Sequence, residues 1–211
     1  GADHTSEGDQ SLVQRENTID RMVAARRERV PPGQKLTEKF PVLDLGVKPK
    51  FHEAHWRFTV EGEIAHPIDL GWEAFTGLHE RTQQTSDFHC VTTWSKLDVA
   101  WGGIRFAEMA QIVQPTPAAR FVIMHCGDGY TTNLALDDLL AEDVLLAYEL
   151  DGAPLPLEHG GPVRMVVPKL YAWKSAKFLR RLVFQAEDEP GYWEERGYHH
   201  RGDPWQEERY S

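Results

Sequence analysis

The sequence predicts an α+β fold of short strands and short helices, on three observations. Strand-like and helix-like stretches follow one another without regular βαβ alternation. The second half is strand-rich. Neither GxGxxG nor GxxxxGK followed by Ser or Thr is present, so a doubly wound nucleotide-binding sheet has no motif behind it.

The elements follow from pattern. Glu16 to Val30 predicts a helix: Ile19, Met22, Val23 and Val30 recur at helical spacing, Arg26, Arg27 and Arg29 form a solvated face, and Pro31-Pro32-Gly33 ends it. Phe40 to Leu45 is a short apolar run. His55 to Gly62 alternates, with Trp56, Phe58 and Val60 opposite Arg57, Thr59 and Glu61, which predicts a half-buried strand. Leu70 to Leu78 reads as a short helix or turn, Asp87 to Trp94 as a strand and Ile104 to Val113 as a helix. Arg120 to Cys126 has the residues of a buried strand. Thr131 or Thr132 is placed to cap a short helix over Leu134 to Leu140. Val144 to Leu150 and Pro154 to Leu157 flank Asp151-Gly152, a two-residue hairpin signal. Val163 to Val167 and Leu179 to Gln185 complete the strands. The tail from Glu187 holds five aromatics, too many for disorder, and should wrap the domain.

Composition narrows the functions. At 211 residues with 41% apolar and 27% charged residues, the chain holds one domain with a sizeable core. The net charge of -10 disfavours nucleic acid. Glu187 to Ser211 carries eight carboxylates against three arginines, about half that excess. Two cysteines, Cys90 and Cys126, make no disulfide framework, and no CxxC marks a zinc knuckle. No run of 18 apolar residues is present, so nothing is expected to span a membrane. No export signal is visible, which places the protein in the cytoplasm, or the periplasm if a leader was removed. His52-Glu53-Ala54-His55 is not HExxH, because the histidines stand three apart.

Chemistry concentrates in four segments. Phe88-His89-Cys90-Val91-Thr92-Thr93-Trp94-Ser95 offers a thiol among polar groups while apolar neighbours pin it to a core. A thiolate there is a nucleophile or a soft metal ligand. His159-Gly160-Gly161-Pro162-Val163-Arg164, with Lys174, Ser175 and Lys177 downstream, joins cations, hydroxyls and glycines that permit close backbone approach, a set suited to a phosphate. A helix opening at Ser175 would add free amides. His125-Cys126-Gly127-Asp128-Gly129-Tyr130 forms a strand end and tight turn, with Cys126 expected to be packed. Tyr192 to His200 is aromatic and acidic, and the adjacent histidines point oppositely, as in a surface feature.

The stretch from Asp87 to Gly103 resembles the cysteine loop of the sulfite oxidase family, in which the cysteine binds molybdenum. The Gly-Pro-x-Arg turn at Gly161 and the Lys-Ser-x-Lys element at Lys174 resemble the family's pterin-phosphate segment. The resemblance implies a mixed-sheet molybdopterin-binding domain over residues 40–211, after a tail and helix over 1–39, of the bacterial oxidoreductase type. It implies molybdopterin and molybdenum as cofactors, with Cys90 the metal ligand. Val42, Leu43, His89, Cys90, Thr92, His125, His159, Arg164, Ser175, Ala176 and Lys177 become the cofactor contacts. Tyr198 matches the tyrosine that reaches the molybdenum pocket and joins Cys90 as catalytic. The implied reaction is two-electron oxygen-atom transfer on a small sulfur oxide or sulfoxide, with a separate protein as electron donor or acceptor, since neither a haem nor a dimerisation domain fits the length.

The sequence departs from the family where sulfite binds. Lys39-Phe40-Pro41-Val42-Leu43 stands in place of an Arg-Asn-His stretch, and Thr92, Thr93 and Lys96 replace arginines after the cysteine. A neutral or weakly anionic substrate is therefore expected, unless Arg105 or Arg120 reaches the site. The residues alone leave open a cofactor-free thiol enzyme, with Cys90 as nucleophile and a histidine as base, and a non-catalytic cofactor-binding protein.

Overall fold

The computed structural model describes residues 21, 28–41, 46, 48–90 and 93–210. The predicted helix from Glu16 lies outside them except at Arg21 and 28–30, as does most of the run from Phe40 to Leu45. In chain order the elements are β1 (Lys35–Leu36), β2 (Phe58–Gly62), β3 (Ile68–Leu70), α1 (Trp72–Thr76), β4 (Thr82–His89), β5 (Trp94–Arg105), α2 (Phe106–Val113), β6 (Phe121–Cys126), β7 (Thr131–Ala135), α3 (Leu136–Leu139), β8 (Leu145–Leu150), β9 (Ala153–Pro154), β10 (Arg164–Val166) and β11 (Leu179–Gln185). The fold is α+β.

Two mixed sheets hold these strands. In the first, β5 pairs β4 antiparallel, β8 antiparallel and β1 parallel, and β8 carries β9 and β10. In the second, the order is β3-β2-β11-β6-β7, and only β2 and β11 run parallel. Lys35–Leu36 joins the first sheet beside Trp94 and Ser95, from the segment assigned to the N-terminal tail.

Side-chain alternation divides the first sheet between two cores. Leu146 and Met165 enter the larger core with Phe58, Val60, Met124, Leu182 and Phe184 of the second sheet, so that core lies between the sheets. Leu145, Ala147 and Val166 point the other way, into a smaller core with Phe88, Val99, Trp101 and Leu155. Phe40, Trp94 and Ala172 pack against this smaller core. The candidate site is built on that face.

Sequence and structure differ in several elements. The expected strand Asp87 to Trp94 is a hairpin: β4 ends at His89 and β5 runs twelve residues to Arg105. Ser95, Leu97, Val99 and Trp101 are buried alternately, so the strand period was present in the sequence. Gly103 lets β5 pass β8 at a register shift, where a Cβ would lie 2.0 Å from the Leu146 carbonyl oxygen. α2 therefore starts at Phe106, two residues later than expected. Similarly, Thr131 and Thr132 belong to β7 and do not cap a helix; α3 follows Ala135 without a side-chain cap. The backbone amides of Thr132 and its neighbours are taken by the ladder to β6.

The C-terminal tail wraps the domain. The Tyr192 amide donates to the Thr131 carbonyl, the Tyr171 amide donates to the Gly202 carbonyl, and Tyr198 bridges Tyr210. No helix among the described residues is long and apolar enough to cross a membrane.

Candidate cofactor-binding site

Cys90 occupies the turn between β4 and β5. Its amide donates to the Trp94 carbonyl at 2.8 Å, and the Thr93 amide donates to the Cys90 carbonyl at 3.0 Å. Thr93 takes a left-handed φ of 80°. The turn keeps Cys90 at 4% exposure beside the smaller core. His89 is also buried, and its Nδ1 lies 2.8 Å from the Ser95 hydroxyl, which donates to Gln34 Oε1 at 3.2 Å. Burial depresses the His89 pKa to about 4, against a smaller opposing pull from Asp87, so the imidazole is neutral near pH 7. The His89 backbone bridges Tyr171, and Trp205 stands edge-on to its ring at 6.5 Å.

Arg164 lies beneath this turn. The guanidinium sits 5.1 Å from the centre of the Phe88 ring and 5.3 Å from that of Trp101. It donates to the carbonyls of His159 at 2.8 Å, Ser175 at 2.9 Å and Met165 at 3.4 Å. Its exposure is 2%, and no carboxylate pairs with it among the described residues. Burial lowers its pKa to about 9. A buried cation without a counter-ion is costly, and its planar fork of five N–H groups suits an oxyanion. This cradle fits the phosphate of a pterin cofactor.

The rest of the cluster closes around Arg164. His159 packs at a tilt against Phe40 with ring centres 4.2 Å apart, and burial, then Arg164 and Lys177, lower its pKa. Lys177 donates to the Glu158 carbonyl at 2.8 Å. The Ser175 hydroxyl accepts from the Val167 amide at 2.8 Å, and the Ala176 carbonyl accepts from the Met165 amide at 2.9 Å. The expected helix at Ser175 is absent: the 3-10 turn Ala172–Lys174 ends there. The two glycines approach the chain's own backbone. A Cβ on Gly161 would lie 2.1 Å from the Leu155 carbonyl oxygen, and one on Gly160, at φ +104°, would lie 2.8 Å from Lys177 Cβ.

Tyr198 comes from the tail. Its ring packs 5.0 Å from Trp173 and 5.0 Å from Trp193. Burial raises its pKa, with smaller contributions from Tyr210 and Cys90, so the phenol stays protonated at neutral pH.

The structure thus brings His89, Cys90, His159, Arg164, Ser175 and Lys177 together. The Ala176 side chain enters the larger core, and Tyr198 adjoins the cluster through Trp173, which stacks on Tyr171. His125 is not in the cluster. Val122, Met124 and Cys126 of β6 enter the larger core, and His125 faces the other way, near Arg181, Glu189 and Glu61. Val42, Leu43 and Thr92 lie outside the described residues. Lys174, expected to help bind phosphate, is fully buried against Glu194 instead. Arg105 and Arg120 are exposed at strand ends. Sequence reasoning missed Gln34, the aromatic platform of Phe88 and Trp101 under Arg164, and Trp205. Of these, only the platform left a signal, in the alternation of β5. No group of three or more His, Cys, Asp or Glu side chains able to hold a metal ion forms among the described residues.

Residues 45–193 match the model of the oxidoreductase molybdopterin binding domain. The chain is 47% identical over 184 residues to the uncharacterized oxidoreductase YuiH of Bacillus subtilis, covering 87% of this chain and 92% of that one. It is 29% identical over 153 residues to the protein-methionine-sulfoxide reductase catalytic subunit MsrP of Burkholderia mallei, covering 65% of this chain and 46% of that one. The sulfane dehydrogenase SoxCD of Paracoccus pantotrophus shares the fold, with a TM-score of 0.60 at 18% identity, over 66% of this chain and 40% of that one. The chain therefore spans nearly all of YuiH but less than half of MsrP or the SoxCD chain. It belongs to the oxidoreductase molybdopterin binding domain family and is a molybdopterin-dependent oxidoreductase of the sulfite oxidase type.

Proposed function

We propose that Cys90 supplies the protein thiolate to the molybdenum of the bound cofactor, and that the enzyme reduces a small neutral sulfoxide. The single observation that carries this reading is the arrangement around the Cys90 turn: a buried thiol above a buried cation that has no carboxylate partner among the described residues. Arg164 and Lys177 would hold the cofactor's phosphate, the His159 and Ser175 segments would flank the pterin, and His89 would abut its metal end. When bound, the cofactor supplies two-electron oxygen-atom transfer. The protein orients, encloses and supplies protons. The balanced reaction takes a sulfoxide, two protons and two electrons to a thioether and water, the electrons coming from a separate donor protein. Tyr198 Oη gives a proton to the departing oxygen, and neutral His89 adds no charge beside it.

Two observations favour a neutral substrate. Trp205 stands edge-on to His89, and Tyr171, whose backbone bridges His89, stacks its ring on Trp173. Arg209 stacks over Tyr171 at 5.1 Å, but Glu207 offsets its charge at 3.3 Å. Desolvating the sulfite dianion requires cations that are not offset. The MsrP relative is named for a sulfoxide substrate. The test is elemental analysis and steady-state kinetics on protein from a molybdenum-replete host, comparing sulfoxide reduction by a reduced viologen with sulfite oxidation. Molybdenum near one per chain and a preference for sulfoxide are expected. Cys90→Ser should retain pterin and lose most turnover. Full turnover in that variant with an unchanged metal spectrum would refute the ligand assignment, and a clear preference for sulfite would refute the substrate class.

A further inference from the structure

We propose that the buried Lys174–Glu194 ion pair is a positioning device for Tyr198. The inference rests on the reading of Tyr198 as proton donor. Both side chains of the pair are at 0% exposure. Lys174 Nζ donates to Glu194 Oε1 and, at 2.7 Å, to the Asn133 carbonyl. The Thr132 hydroxyl donates to the same Glu194 oxygen at 2.5 Å. A buried pair of this kind is seldom more stabilising than apolar residues of equal volume, so stability alone gives little reason for it. What the pair does provide is a directional tie between the tail and β7.

That tie lies one turn from Tyr198. The Glu195 amide donates to the Gly191 carbonyl, the Gly197 amide to Glu194 and the Tyr198 amide to Trp193. The chain from Gly191 to Tyr198 is thus wound into a compact turn, and anchoring Glu194 anchors its end. The neighbours of the pair complete the device. Lys174 follows Trp173, and Glu194 follows Trp193. The two dipeptides meet with the ion pair on one side and the rings of Trp173 and Trp193 against Tyr198 on the other. The Tyr130 hydroxyl donates to the Trp173 carbonyl, and Gly202 packs on the Trp173 ring. Lys174 and Glu194 are therefore positioning residues, acting through the phenol and not on substrate.

The test is a double-mutant cycle on the holoenzyme, with Glu194→Gln, Tyr198→Phe and their combination. Glu194→Gln should lower kcat by roughly tenfold or more, with KM little changed, because small misplacements of a reacting group are expensive. The double variant should be no slower than Tyr198→Phe alone. Nitration by tetranitromethane, mapped by mass spectrometry on the unloaded protein, gives a readout free of turnover. Tyr198 should become more reactive relative to exposed Tyr210 when Glu194 is changed. If Glu194→Gln does not fold, Thr132→Val removes one bond to the same carboxylate and should move both readouts in the same direction. Losses in kcat that multiply, or an unchanged nitration ratio, would overturn the positioning role. An unchanged kcat in Tyr198→Phe would instead sink the proton-donor reading, and the nitration ratio alone would then decide the positioning claim.

Discussion

Replacing Arg164 by Met should separate the cost of this residue to the empty protein from its value to the loaded one. Burial lowers its pKa from 12.5 to about 9, a penalty of about 5 kcal/mol on the charged form. Against that, the guanidinium makes three hydrogen bonds to carbonyls and two cation–π contacts. These return roughly 1 kcal/mol each. The two sides nearly cancel, so the cofactor-free Arg164→Met protein should melt within a few degrees of the cofactor-free wild type. The loaded protein is another matter. A phosphate held by the remaining N–H groups makes charge-assisted bonds worth about 1.5–3 kcal/mol each. Losing two would weaken retention by a factor of about a hundred or more. The assay is the pterin-to-protein ratio after gel filtration, read by fluorescence of the oxidised pterin, beside melts of both forms. Stoichiometric pterin in Arg164→Met would refute the phosphate assignment. A cofactor-free variant that is strongly destabilised would show that the guanidinium is a structural tie.

Two further outcomes follow from the site. His89 is neutral when folded, with a pKa of about 4 against an ordinary 6.5, so the unfolded chain binds the extra proton. Its contribution to stability is complete above pH 6.5 and is lost as pH falls towards 4, by about 3 kcal/mol in total; urea melts of His89→Asn across that window should show a shallower pH slope than wild type, and an identical slope would refute the burial argument. Gly160→Ala adds a Cβ at φ +104° that meets the Lys177 side chain, so pterin retention should fall without loss of fold, as the same gel-filtration assay with circular dichroism would show.

Much of the fold was legible because its signals were local. The alternation of Trp56, Phe58 and Val60, the Asp151-Gly152 turn and the apolar run of β11 each lie within a few residues. The long β5 was obscured by its neighbour. The expected strand stopped at Trp94 because Lys96 and Asp98 are charged, although Leu97, Val99 and Trp101 kept the strand period. β7 was missed because Thr132 and Asn133 are polar yet fully enclosed, a burial that depends on Glu194, Asp188 and Lys174 from distant parts of the chain. The same limit applied at the site. Arg164 and Lys174 are both basic residues near a Lys-Ser-x-Lys element, and nothing local says that Glu194 neutralises one while the other has no carboxylate partner among the described residues. His125 was assigned from the family resemblance of its segment, and strand parity turns its side chain away from this face.

The first sheet divides its labour by odd and even positions. Leu146 and Met165 serve the joint between the sheets, whereas Leu145, Ala147 and Val166, a single residue away, serve the floor beneath the cofactor cluster. Drift in the two sets is therefore uncoupled over a distance of one peptide unit. The floor under Phe88 and Trp101 can be altered by substitution while the inter-sheet joint keeps the architecture standing. Conversely, the joint can be strengthened with no side chain added to the reactive face. In β8 and β10 the boundary between the reactive face and the scaffold therefore runs along the strand, and not between one segment of the chain and the next.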